Sequence, residues 1–178
     1  MEKGKPKKIW IVMAIAITIL LAIDQIAKSY VSIYLTQGYA LLPGICHITY
    51  IKNTGVALGI AGNNPFLAII MQLVVLTFVI RFLRLQYSRM NIGTKVALTF
   101  ILAGGTSNLV DRILYRAVID YIDVSRMIPN FPAFNLADTY IVVGLLLFII
   151  SFAVYGVTQA KKEENEKERK LRWKNNGQ

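Results

Sequence analysis

The stretch TKVALTFILAGGTSNLV, residues 94–110, runs directly into Asp111 and Arg112. A bilayer core is crossed by about 20 mostly apolar residues, within a range of roughly 17–25. The stretch is near that lower limit, and its polar residues are not scattered. Gly104, Asn108, Asp111 and Arg112 fall at i, i+4, i+7 and i+8, on one helical face. Gly104 lets another backbone approach closely, and Asn108 offers a donor and an acceptor in a low-dielectric place. The stretch reads as a membrane helix with a polar seam turned toward its neighbours. By itself such a seam serves either as helix–helix glue or as part of a site.

Three further apolar runs flank it: Ile9 to Ala27, Pro65 to Ile80 and Ile141 to Val157. The chain has 178 residues and is 55% hydrophobic, with a mean hydropathy of +0.50. A soluble bundle with long core helices is disfavoured, because four such runs consume most of the chain. Four membrane spans in one domain are therefore expected. Lys3, Lys5, Lys7 and Lys8 before the first run imitate a signal peptide. No small-residue cleavage site follows, only Asp24-Gln25, so an uncleaved first helix is expected.

Charge placement predicts orientation. Basic residues dominate the N-terminal tail, the loop with Arg81, Arg84, Arg89 and Lys95, and the tail from Lys161. These three segments account for the whole net charge of +10, and elsewhere the charges balance. The positive-inside rule makes both termini and the middle loop cytoplasmic and the other two loops outward-facing. The basic excess needs no nucleic-acid partner; it signals topology and attraction to anionic lipid. The tail, residues 161–178, is expected to be a solvated charged helix or a disordered end.

Glycine and proline breakers with short alternating segments between about 36 and 64 predict a small outward-facing sheet. His47-Ile48-Thr49-Tyr50-Ile51-Lys52 has the period of a strand, with His47 expected on its polar face. An open sheet cannot sit in lipid with unpaired edges, so it must pack on the helices or line a cleft. The second outward loop, from about 111 to 134, is expected to hold a short interfacial helix. Cys46 is the only cysteine, so no intrachain disulfide is possible.

The acidic residues carry the chemistry. Asp24 and Lys28, four apart on the first span, are either a self-satisfied ion pair or a brace for a neighbouring site. Asp111 and Arg112 are adjacent and do not pair along the helix; Lys28 and a carboxylate are their expected partners. Asn135 is placed to cap the fourth helix, which leaves Asp138 in its first turn, where the helix dipole favours a negative charge. Asp138 is then either a capping carboxylate or a reactive one. Asp120 lies among Val118, Ile119, Tyr121 and Ile122, and such burial favours a protonated carboxyl. Unequal environments for two carboxyl groups are how an acid is separated from a base. One histidine cannot build a usual zinc site, and there is no His-Glu-x-x-His run or Gly-x-Ser-x-Gly elbow. Cys46 and His47, adjacent on a strand, point to opposite faces. A paired-aspartate mechanism is what remains.

Five motifs in order resemble the bacterial lipoprotein signal peptidase (signal peptidase II) family: Asp24-Gln25-x-x-Lys28, Asn53-Thr54-Gly55-x-Ala57-x-Gly59, Gly104-x-x-x-Asn108-x-x-Asp111-Arg112, Val118-x-Asp120-Tyr121 and Phe134-Asn135-x-Ala137-Asp138. The resemblance implies an α-helical integral membrane protein. It would have four transmembrane helices (about 9–30, 65–84, 94–113 and 136–158), an outward β-cradle and a short extracytoplasmic helix, within one peptidase domain of residues 1–160. It implies an aspartic endopeptidase that removes the signal peptide of diacylglyceryl-modified prolipoproteins just before the lipidated cysteine. Asp120 and Asp138 would be catalytic. Asp24, Lys28, Asn53, Gly104, Asn108, Asp111, Arg112, Asn135 and Ala137 would support the site or position the substrate. No cofactor or metal is implied. A monomer in the bacterial cytoplasmic membrane, sensitive to globomycin, is expected. The chain departs from the family pattern at Ser107 (commonly glycine), Leu58 (usually aromatic) and Tyr121 (commonly phenylalanine), all of which bear on the substrate cleft. The rival readings are a small proton- or cation-coupled transporter, disfavoured by carboxylates clustered at the outer end, and a non-catalytic lipoprotein-binding relative.

Overall fold

A computed structural model describes residues 5–55 and 64–176. The motif residues Ala57, Leu58 and Gly59 lie outside the described residues. Four long helices carry the fold: α1 (Lys5–Tyr34), α2 (Pro65–Gln86), α3 (Ile92–Tyr115) and α4 (Leu136–Asn176). Three strands, β1 (Tyr39–Leu42), β2 (Cys46–Asn53) and β3 (Val118–Asp123), form one antiparallel sheet in the order β1-β2-β3.

Capping residues set the helix starts. Asn64 accepts from Phe66 N (3.1 Å) and Leu67 N (3.2 Å) ahead of Pro65 at the first turn of α2. Asn91 accepts from Thr94 N at 2.8 Å to open α3. α3 ends at Arg116, whose left-handed backbone (φ 58°) returns its N–H to Arg112 O at 3.1 Å.

Among the described residues, three helices are long and apolar enough to cross a membrane: Lys8–Tyr34, Pro65–Gln86 and Leu136–Arg169. α3 has 24 residues, a spanning length, but it is not among them. It is the buried core of the bundle and packs against α1, α2 and α4. Its polar seam is tolerable because the apolar helices surround it. The others turn Ile15, Ile19, Val74, Phe78, Leu146 and Phe152 outward, all well exposed. Such continuous apolar surface suits lipid and not water. This is a multi-pass membrane protein.

Small residues draw α3 and α4 together. A Cβ on Gly104 would collide with the carbonyl of Ala137, and one on Gly144 would come within 2.8 Å of Ala97 O. Both positions therefore require the backbone contact that glycine permits. At the end remote from the sheet, Trp10 stacks on Tyr87 with ring centroids 4.6 Å apart, and Lys95 Nζ lies 4.2 Å over the Tyr87 ring.

The sheet is built from both loops. β3, from the second loop, pairs with β2 so that Ile51 faces Asp120 and Asn53 faces Val118. Phe134 is stitched to the same strand: its carbonyl accepts from Ile122 N (2.8 Å), and its N–H donates to Ile122 O (3.0 Å). The start of α4 is thereby tied beside Asp120. His47 faces Asp123 across the sheet and is half-buried. The helix expected in the second loop is reduced to a single turn, with Met127 N and Ile128 N on Val124 O. Pro129 and Pro132 bring no N–H, and Asn130 is left-handed (φ 63°), so the turn does not propagate.

Candidate active site

The site starts from an ion cluster beneath the sheet. Lys28 Nζ lies 2.7 Å from Asp24 Oδ2, 2.8 Å from Asp111 Oδ2 and 2.9 Å from Asn108 Oδ1. An ammonium has three donors, so this one is saturated. Asp24, Lys28 and Asp111 are 0%, 1% and 0% exposed. A buried ion pair persists only when its remaining lone pairs are also used. Asp24 accepts from Ser107 Oγ (2.6 Å) and Ala137 N (3.1 Å). Asp111 accepts from Gln25 Nε2 (2.8 Å) and Ile119 N (3.2 Å).

Two of those bonds reach the next layer. Asp111 grips Ile119, the residue before Asp120, and Asp24 grips Ala137, the residue before Asp138. The cluster thus positions both candidate residues through the backbone without bonding to either carboxylate. Lys28 does have the Asp111 partner that the sequence suggested, so the pair on α1 is a brace.

Asn135 and Asp138 form a capping box. Asn135 Oδ1 accepts from Asp138 N (2.9 Å), and Asp138 Oδ2 accepts from Asn135 N (3.2 Å). Asp138 Oδ1 accepts from Asn108 Nδ2 at 2.8 Å. The orientation of Asn108 is dictated by chemistry: Lys28 can only donate, so the carbonyl faces it and the amino group faces Asp138. Asp120 is 2% exposed and accepts from Asn135 Nδ2 (2.7 Å) and Asn53 Nδ2 (2.8 Å). Asn135 therefore touches both carboxylates, one with its side chain and one with its backbone.

Burial raises the Asp120 carboxyl to about 6, against the Asn53 hydrogen bond that lowers it; the charge of Asp138 raises it further. Neither Asp120 nor Asp138 has a Lys, Arg or His nitrogen within 4.0 Å among the described residues. The two carboxyls feel each other and are held by neutral amides.

Arg112 does not meet the carboxylate expected for it. Its guanidinium donates to Gln72 Oε1 (2.6 Å) and Gly55 O (3.2 Å). The eleven residues singled out from sequence otherwise converge: Gly104 contributes the close approach to Ala137, and the rest form one hydrogen-bonded network. Sequence reading missed four contributors. Gln25 and Ser107 saturate the ion cluster. Tyr121 Oη accepts from Leu136 N at 3.3 Å, steadying the start of α4. Gln72 holds Arg112. Gln72 had a readable signal, being the lone strongly polar residue in the run from Pro65 to Ile80. Tyr121 and Ser107 were visible only as departures from a pattern.

The chain is similar to known proteins over most of its length. The family model described as Signal peptidase (SPase) II matches residues 16–154. A lipoprotein signal peptidase of Streptococcus pyogenes serotype M2 (strain MGAS10270) is 31% identical over 138 residues, covering 76% of this chain and 89% of the relative. Its counterpart from serotype M5 (strain Manfredo) is 30% identical over the same length. A bacterial membrane enzyme solved by the in meso method at 2.3 Å resolution superposes with a TM-score of 0.73 at 28% identity, covering 85% of this chain and 92% of that one. A second, at 1.9 Å resolution, gives 0.70 at 26% identity, with coverages of 79% and 92%. With its motifs gathered in one network and the family model spanning most of its length, the chain belongs to the signal peptidase II family.

Proposed function

We propose that Asp120 and Asp138 are the catalytic dyad of this peptidase, acting on diacylglyceryl-modified prolipoproteins just before the lipidated cysteine. The observation that carries the assignment is Asn135, which donates to Asp120 Oδ1 at 2.7 Å and to Asp138 Oδ2 at 3.2 Å. One residue thereby holds two carboxylates on one scissile bond. Asp138, in the first turn of a helix, takes the role of base and removes a proton from water. Asp120, the carboxyl raised toward neutrality by burial, holds the shared proton and polarises the scissile carbonyl. Hydroxide adds to that carbonyl, and the proton passes to the leaving amine of the cysteine. Asn53, Asn108 and Asn135 keep the pair oriented; Asp24, Lys28, Asp111, Gly104 and Ala137 fix the backbones that carry it.

The reading extends to placement. The termini face the cytoplasm and the sheet faces outward, because the basic residues gather at the tails and the middle loop. The dyad then lies at the outer face of a bacterial cytoplasmic membrane, where a lipidated precursor emerges. The enzyme acts as a monomer and binds globomycin.

The test is cleavage of a purified diacylglyceryl-modified precursor. Asp120→Asn and Asp138→Asn each lower the rate by on the order of 10³ or more while still accumulating in the membrane. Near-wild-type cleavage by either variant overturns the dyad. Cleavage unaffected by globomycin removes the inhibitor assignment alone.

A further inference from the structure

Gln72 sits on α2, away from both aspartates, and its amide is used at both ends. Its Nε2 donates to Gly105 O at 2.6 Å, and its Oε1 accepts from Arg112 Nη1 at 2.6 Å. Arg112 Nη2 donates to Gly55 O at 3.2 Å. The N–H of Gly55 donates to Asn53 Oδ1 at 2.9 Å, and Asn53 Nδ2 donates to Asp120 Oδ2 at 2.8 Å. These bonds form one line from α2 to Asp120. Each step has a fixed sense. The Gly55 N–H requires the carbonyl of Asn53, which leaves its amino group for Asp120. The guanidinium can only donate, so Gln72 must present its carbonyl to Arg112 and its amino group to Gly105 O.

The line also governs a charge. Arg112 feels the charges of Asp138, Asp120 and Asp111. A guanidinium is shaped to grip a carboxylate with two parallel bonds. If it gripped Asp120 or Asp138, the shared proton would be expelled. In the structure it is held off: Gln72 takes one of its amino groups and Gly55 O the other. The charged groups around the pair are Asp24 and Lys28 on α1, Asp111 and Arg112 on α3, and Asp138 on α4. Lys28 is saturated by its own three acceptors. Arg112 is the cation whose position a single neutral side chain decides.

We infer that Gln72 is a positioning residue of the reaction: it tethers Arg112 to Gly55, which aims Asn53 at Asp120 and keeps the guanidinium off the aspartate pair. The inference rests on the dyad reading above, since it concerns the proton that the dyad shares. It assigns a role in the chemistry to α2, which otherwise supplies only apolar packing to the site.

The test replaces Gln72 with methionine, which keeps the length of the side chain and removes both hydrogen bonds, and with glutamate, which keeps the acceptor for Arg112. Gln72→Met lowers kcat about ten-fold, the scale of a lost hydrogen bond to a charged group, with KM within about two-fold. It moves the alkaline limb of the pH–rate profile down by about one pH unit, because a released guanidinium favours the ionised carboxyl by more than a misaimed, neutral Asn53 amide disfavours it. Gln72→Glu keeps the tether to Arg112 but turns an acceptor onto Gly105 O, so it is slower than wild type while its alkaline limb does not move down. In an Arg112→Met background the methionine substitution adds nothing, as two residues on one line are not additive. The Asp120 midpoint, read by NMR of 13Cγ-labelled aspartate, falls in Gln72→Met without any need for turnover. An unchanged midpoint, a Gln72→Glu variant whose alkaline limb falls like that of Gln72→Met, or an undiminished loss in the Arg112→Met background overturns the inference. A wild-type protein that cleaves no precursor defeats the dyad reading instead, and the Asp120 titration still decides the role of Gln72.

Discussion

Two pairs of carboxylates lie within one small protein, and they are built oppositely. Asp24 and Asp111 share a saturated lysine, and neutral donors occupy the rest of their oxygens. Among the described residues, Asp120 and Asp138 receive only amide donors, from Asn53, Asn108 and Asn135. A cation at 2.7–2.8 Å holds a carboxylate stationary. Amides orient a carboxylate while letting it take up or release a proton. The first pair is a frame and the second is the reagent of the proposed mechanism. The frame grips the residues immediately before the reagent, Ile119 and Ala137.

The contrast can be broken most directly at the frame. Lys28→Met leaves two buried carboxylates with no cation. Breaking a buried pair this way costs about 3–5 kcal/mol, so the variant should lose most of its folded population in detergent, read as a large fall in melting temperature. A Lys28→Met protein that melts like wild type would show that the frame does not need its charge.

A smaller effect is expected where the two α-helical backbones meet. Gly104→Ala drives a methyl into the carbonyl of Ala137. Overpacking of this kind costs about 1–3 kcal/mol. It should also displace Asp138, so cleavage should fall more steeply than melting temperature.

The reagent pair is probed by pH. Asn53 lowers the Asp120 carboxyl by donating to it. Asn53→Ala removes that stabilisation of the ionised form, so the carboxyl rises further above about 6. The proton is then held to higher pH, and the alkaline limb of the pH–rate profile moves up. This is the opposite sign to Gln72→Met, which makes the two variants a paired test. A shift of the same sign in both would contradict the roles given to amide and guanidinium.

The least effect is expected at Tyr121. Tyr121→Phe removes the acceptor for Leu136 N, worth about 0.5–1.5 kcal/mol. Melting temperature should drop slightly, and even if the whole loss fell on the transition state, cleavage would fall by no more than about ten-fold.

Much of this is legible in the amino-acid sequence. The apolar runs predicted a helical membrane protein, and the i, i+4, i+7, i+8 spacing put Gly104, Asn108, Asp111 and Arg112 on one face. Asn135 was placed as a cap and is one. Other features were not readable. β3 comes from the loop between α3 and α4, for which the sequence predicts a helix, because Val118 to Asp123 finds its partner only across the chain in β2. Arg112 was expected on a carboxylate and lies on Gln72 and Gly55. A guanidinium has several possible acceptors, and the choice depends on which helix stands beside it.

The sequence by itself determined the solvent and the inventory. Long apolar runs must be buried in lipid, and each costly polar residue within or beside them must find a partner. It did not determine which partner. Asp111 and Asp120 are nine residues apart, yet one is locked to Lys28 and the other is held by amides. That division was decided by tertiary structure alone. Glycine lets α3 approach α4 at Gly104, β2 pairs with β3 opposite Asn53, and Phe134 stitches α4 to the same strand. Hydrogen bonds and ion pairs act over about 3 Å, and only the packed fold sets distances on that scale.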